Sequence, residues 1–327
     1  MIRRYSLLIA IAMLAPAAAV GQAGASDGAG VLLGVKTDDN TYRTLWLTVD
    51  GAAARLAAAG EGILVPRRDG FWWIEVLHYK EDPGGPEIDT LMVGPTVNGR
   101  PKHDTIGVAP DCYAAIAITL RFVGTDHVSR ETHSETGCGP HPDAPSTWDM
   151  VSLPNARPFD SLFSVAQHEA FERRRSFVRD SLTRATKPED CPATEPEPSW
   201  FVTRKPGRWG LSGGVWGPYV CGNPFDEFDA GIAPPRGAVG ANDLVPEWAV
   251  IRRTVRNAVD AVSSPQHNVV VVVTASDSLL VYVATGTSLG RRLGAFPGGG
   301  AVVMAQWAVG RFVSIWSEQV IPLLRQP

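Results

Sequence analysis

The run LVPRRDGFWWI at Leu64–Ile74 recurs 137 residues later, without a gap, as FVTRKPGRWGL at Phe201–Leu211. In both copies an apolar pair precedes a basic pair, a turn glycine follows, Trp comes two residues after it, and Ile or Leu closes the run. Such a pattern reads as a strand, a tight turn with glycine at positive φ, and a second strand that packs Trp inward. A hairpin unit present in both halves constrains the fold to repeated antiparallel β structure. The expected class is mainly β, built from hairpin and meander repeats with a few amphipathic helices. It is either propeller-like or two β-rich domains.

The flanking segments agree. Val31–Lys36 and Tyr42–Val49 read as strands across the turn Asp38-Asp39-Asn40. Ile63–Pro66 and Phe71–Tyr79 form the first copy of the repeated hairpin around Arg67–Gly70. Val269–Thr274 and Leu279–Ala284 are strongly β, and Leu293–Phe296 and Ala301–Trp307 extend the meander across Gly298–Gly300. Three helices are expected. Ser164 and Gln167 form a capping box ahead of a stripe that includes Phe163, Ala170, Phe171, Arg174, Phe177 and Val178. Pro246–Asn257 carries Trp248, Ile251 and Val255 at helical spacing, and a closing helix with Phe312, Ile315, Trp316 and Val320 is stopped by Pro322. The Pro/Glu-rich stretch Glu189–Pro198 is the expected connector, giving domains over 26–188 and 199–327.

Residues 1–25 read as a secretory signal peptide. Arg3 and Arg4 form a positive start, an apolar run follows to Val20, and small residues at Ala17, Ala19, Ala23 and Ala25 suit signal peptidase. The run is too short for a spanning helix and contains Pro16. No later stretch is apolar enough to span. The expected location is therefore periplasmic or extracellular, in soluble form. Loss of Arg3 and Arg4 takes the net charge from −4 to −6, which argues against nucleic acid as a partner. Four cysteines, an even number, suit an oxidising compartment. Strand-like runs at Tyr113–Val123 and His127–Thr136 flank Gly124-Thr125-Asp126. A hairpin turning about Thr125 sets Cys112 opposite Cys138 and leaves Cys191 with Cys221. Their spacing fits no zinc motif.

On the same hairpin, Ile116, Ile118, Leu120 and Phe122 should face the core. Thr119 and Arg121 with His127, Glu131, His133 and Glu135 should form a solvated face. Ligands at alternate positions of one strand lie about 7 Å apart, too wide for one metal ion, so no metal is expected. His141 lies in the adjoining loop. Gly210-Leu211-Ser212-Gly213-Gly214 matches the nucleophile-elbow pattern, with Asp226 or Asp229 and then His267 in the required order. Yet Val215-Trp216-Gly217-Pro218 does not begin a helix, so the context fails. Trp209, Trp216 and Tyr219 lie near Asp226 and Asp229 and form the candidate ligand site. Aromatic faces stack on sugars, and carboxylates take their hydroxyls. The arginines of the 164–183 helix alternate with Glu169 and Glu172 and read as a solvated face. Phosphate-loop, dinucleotide and haem motifs are absent, so no cofactor is expected. The functional expectation is a non-enzymatic envelope module that binds a protein or glycan, with an exported hydrolase as the alternative.

Overall fold

The computed structural model describes residues 28–80, 84–97, 100–101, 104–106, 115–134, 146–185, 199–216 and 225–325. The protein is mainly β, with four small sheets arranged like the blades of a four-bladed propeller. The first meander comprises β1 (Ala29–Lys36), β2 (Tyr42–Val49) and β3 (Ala54–Glu61). The second sheet comprises β4 (Ile63–Arg67), β5 (Gly70–Lys80), β6 (Glu87–Val97), the short β7 (Arg100–Pro101) and β8 (Asp104–Ile106), then β9 (Ile116–Val123), β10 (His127–Ser134) and β11 (Ser146–Ser152). After helix α1 (Val165–Ala185), the third sheet is β12 (Ser199–Lys205), β13 (Arg208–Trp216) and β14 (Phe225–Asp229). Helix α2 (Trp248–Thr254) leads into the fourth, β15 (Ala258–Ser263), β16 (Val269–Thr274), β17 (Ser278–Ala284) and β18 (Leu289–Pro297). The last strand, β19 (Ala301–Val309), returns to pair with β1, and helix α3 (Phe312–Leu324) follows.

The first sheet is buried on both faces, which explains its continuous apolar strands. Val31, Leu33, Val35, Leu45 and Leu47 share a core with Trp200, Val202, Trp209 and Val271. Leu32, Trp46 and Met304, on the other face, pack with Ile63, Ile74 and Leu120 and with Val320 of α3. One core thus draws on residues from both sides of the 189–198 stretch, which itself lies outside the described residues. The run Val269–Val273 is likewise buried on two sides. Its odd positions enter the shared core and its even positions pack under Ile251 and Val255, at and just after α2. A fully buried Val or Leu contributes about 1.5–3 kcal/mol, so these strands anchor the assembly.

The repeated hairpin occurs in both copies, with one difference. In the first, Arg68 and Asp69 make the turn, and Gly70 (φ 126°) opens β5 opposite Arg67. In the second, Pro206 and Gly207 (φ 81°) make the turn, as a type II turn requires, and Lys205 pairs with Arg208. The turn has moved one position while Arg and Trp have kept theirs. Arg67 lies 4.2 Å from the ring centre of Trp72, and Arg204 lies 4.7 Å from that of Trp209.

The β9–β10 hairpin holds the expected register from Arg130↔Leu120 to Ser134↔Ile116. Nearer the turn it is off by one, because Arg121 is an extra residue in a bulge. Ile116, Ile118, Leu120 and Phe122 are buried as expected. His127 is a correction: it is buried rather than solvated. The segment after β11 folds over it, so that Phe159 meets its ring edge-on at 5.5 Å and the Arg157 carbonyl lies 2.8 Å from its Nε2.

The capping box closes α1: the Gln167 N–H donates to Ser164 Oγ at 3.3 Å, and the Ser164 N–H donates to Gln167 Oε1 at 3.1 Å. The expected apolar stripe is narrower in the fold. Phe171 alone among the described α1 residues is fully buried, while Phe177 is exposed. Phe171 stacks on Trp200 at 3.4 Å and lies over Gly213, where a Cβ would come within 2.6 Å of its ring. Pro322 does not stop α3. It sits inside the last turn, because Val320 and Leu324 are buried against the second core and outweigh the lost backbone bond. No helix among the described residues is long and apolar enough to cross a membrane.

Candidate functional site

The aromatic and acidic residues singled out in the sequence are not gathered into a platform among the described residues. Trp209 is a core residue: its ring meets Phe122 edge-on at 4.9 Å, and its backbone N–H and carbonyl are both held by the Asn242 amide. Asp229 lies at the end of the edge strand β14, opposite Ser212. Its carboxylate pairs with Lys205 and accepts the Gly231 N–H at 2.9 Å. Partial burial pushes its carboxyl up, but those two partners prevail and hold it below the usual range. Trp216 and Asp226 belong to strands β13 and β14; their side chains, and all of Tyr219, lie outside the described residues. So do Cys112, Cys138, Cys191, Cys221, Glu135 and His141.

Ser212 sits in the middle of β13, fully buried, with no hydrogen-bond partner for its Oγ among the described residues. A strand interior cannot present a nucleophile as a strand-to-helix elbow does. His267 occupies the turn between β15 and β16. Glu131 is paired with Arg121, and His133 is exposed. Among the described residues no group of three His, Cys, Asp or Glu can hold a metal. Two arginines of α1 pair within their own helix, Arg175 with Glu172 at 2.9 Å and Arg173 with Glu169 at 3.8 Å, while Arg174 donates to the Asp229 carbonyl at 3.2 Å.

Two constellations emerge that sequence reasoning did not reach. The first follows from the repeat. Arg204 donates from Nε to Asp260 Oδ2 at 2.7 Å, from Nη2 to Oδ1 at 3.0 Å, and from Nη2 to the Ala261 carbonyl at 2.6 Å. Arg67 repeats this arrangement, donating to Asp126 Oδ1 at 3.1 Å and to the Pro154 carbonyl at 2.9 Å. Each arginine lies over the Trp of its own hairpin; Arg204 crosses to the fourth sheet, whereas Arg67 reaches the β9–β10 turn of its own sheet. It is a latch, and its purpose is structural.

The second is an open cleft of about 710 Å³ between the β1–β2 turn and the far end of β5. Asp38, Asp39, Glu61 and Glu75 wall it, with Arg43 and His78. Tyr42 forms part of the lining. Its hydroxyl accepts the Leu120 N–H at 2.7 Å, and burial pushes its phenol up to about 12, so it stays neutral. The hydroxyls of Thr37 and Thr41 hold the Asp39 carboxyl below the usual range. His78 and Asp89 are direct cross-strand partners on β5 and β6. Asp89 Oδ1 contacts His78 Nδ1, and Oδ2 accepts the Ile118 N–H at 2.7 Å. The Asp89 side chain is 6% exposed and that of His78 is 58% exposed. A buried carboxylate anchored through both oxygens thus fixes an imidazole that stands at the cleft. Fixing Nδ1 as the donor leaves the Nε2 lone pair as an acceptor.

No protein-family model matches the chain, and neither does any curated protein.

Proposed function

We propose that the protein is an exported cell-envelope module that binds a partner protein or glycan, and that the cleft beside His78 is where it binds. The cleft carries this reading: it is concave, about 710 Å³, and walled by hydrogen-bonding and charged side chains set on strands and on the β1–β2 turn. The leader-like residues 1–25 and the even cysteine count support export. A propeller-like scaffold supports a binding role, since its rigid strands hold loops in fixed positions.

The test is thermal unfolding of residues 26–327 against a panel of basic peptides, cell-wall fragments and simple sugars. A ligand at 100 times its Kd that binds only the native state adds about 2.7 kcal/mol, a readable shift in Tm. The shift should vanish in Glu61→Lys/Glu75→Lys. A shift retained in that variant would place binding elsewhere, and a panel with no shift would remove the reading.

The second reading, an exported hydrolase, draws on His78 and Asp89, because an imidazole oriented by a carboxylate is how a general base is held. Hydrolysis of chromogenic esters that His78→Gln abolishes would favour it over binding.

A further inference from the structure

We infer that His78 is a proton-gated contact in this cleft, and that the group it receives is the ammonium of a basic ligand. This rests on the cleft being a binding site. The geometry that carries it is the anchored pair. Asp89 is held by His78 and by the Ile118 N–H, so it has little freedom to release the imidazole. With Nδ1 engaged on Asp89, the neutral ring offers one lone pair, at Nε2, and His78 lines the cleft. That lone pair accepts from a hydrogen-bond donor. Protonation converts it to a second donor bearing a positive charge, and contact with a cation is then lost.

The charged and titratable groups around the ring are consistent with a cationic guest. Asp89 and Glu87 come from β6, Glu75 and Lys80 from β5, Tyr42 and Arg43 from β2, Asp38 and Asp39 from the β1–β2 turn, and Glu61 from the end of β3. Lys80 is spoken for by Glu87, at 2.9 Å, which among the described residues leaves Arg43 as the other cation on the wall. Between pH 5 and 8 histidine is the side chain whose ordinary titration changes charge. The Tyr42 phenol, pushed up to about 12, is silent there, and the carboxyls of Asp39 and Glu87 are held low.

Tetralysine acetylated at its N-terminus and amidated at its C-terminus is a suitable probe, because its side chains keep their charge over this range and no terminal amine titrates within it. Calorimetric titration of residues 26–327 should give a Kd that rises as pH falls from 8 to 5, on the order of fivefold for one like charge brought beside the guest. His78→Gln, neutral at every pH, should bind with a Kd independent of pH over the same range. Asp89→Asn keeps an acceptor for the Ile118 N–H but releases the ring, and should shift the midpoint of the pH dependence. A pH dependence unchanged in His78→Gln would overturn the inference and leave the cleft as a binding site. A panel sugar or cell-wall fragment that binds at the cleft while tetralysine fails at every pH would also overturn it. No ligand bound at the cleft would overturn this inference and the proposed function together.

Discussion

The latch between Arg204 and Asp260 sets a sharp expectation for stability. Both side chains are nearly enclosed, 12% and 11% exposed, and Asp260 also accepts the Gly207 N–H at 2.8 Å. Asp260→Ala would strand a guanidinium under Trp209 with no counter-charge and would orphan a turn N–H. Removing one partner of such a buried pair costs about 3–5 kcal/mol. The double change Arg204→Met/Asp260→Leu removes both charges and should cost much less than either single change, because the desolvation penalty goes with them. The twin latch is the internal control. Asp126 is 41% exposed, so water can take the place of its carboxylate beside Arg67, itself 7% exposed and still held by the Pro154 carbonyl, and Asp126→Ala should cost less than Asp260→Ala. Urea unfolding of residues 26–327, followed by tryptophan fluorescence, reads all three. At a urea slope of roughly 3 kcal/mol/M, Asp260→Ala should lower the midpoint by 1 M or more. A loss below about 1 kcal/mol for Asp260→Ala, or an equal loss for Asp126→Ala, would refute the claim that burial of the pair sets its worth.

Burial of His127, helped by the nearby Arg67 charge, lowers its affinity for a proton and outweighs the opposing pull of the Arg157 carbonyl and Asp126. The unfolded chain therefore binds the extra proton. Stability from this site is full above about pH 6.5 and is lost as pH falls below it; His127→Gln should flatten that part of a urea-midpoint-versus-pH curve. Gly213→Ala would drive a methyl into Phe171 and Phe228, and should cost about 1–3 kcal/mol and speed amide exchange across Val165–Ala185. The sequence reading pairs Cys112 with Cys138, both outside the described residues. Peptide mapping of the oxidised protein should join those two, and Cys112→Ser should cost about 3 kcal/mol by the chain-entropy argument.

The legible parts were those where local chemistry and burial agree. Tyr42–Val49 and Val269–Thr274 carry β-branched and aromatic residues and are strands, and Ser164 with Gln167 marks the start of α1. Strand β3 was not foreseen, because Ala54–Glu61 is rich in alanine and lacks β-branched residues. It is a strand because β2 lies beside it and the end of α3 packs close to Gly60. Strand β6 was hidden by Gly94 and Pro95. Missing it concealed the cleft's defining pair, since His78 and Asp89 meet only once β5 and β6 are seen as a hairpin across the Pro/Gly-rich loop. Had that loop been read as a turn, pairing Lys80 with Glu87 would have put His78 opposite Asp89. The latches needed more. Arg67 and Arg204 were visible in the repeat, but Asp126 and Asp260 do not share its spacing, so only the fold could join them.

Strand β1 lies between β2 and β19. Its partners on one side, from Tyr42 opposite Lys36 to Val49 opposite Ala29, follow directly in the chain, while those on the other, such as Ala305 opposite Leu33, are about 270 residues away. The order of synthesis and the order of completion are therefore opposed: the earliest described strand keeps one edge open until the last described strand arrives. Such long-range pairing is slow to form. A chain that finishes late keeps that open edge available to other chains while it waits.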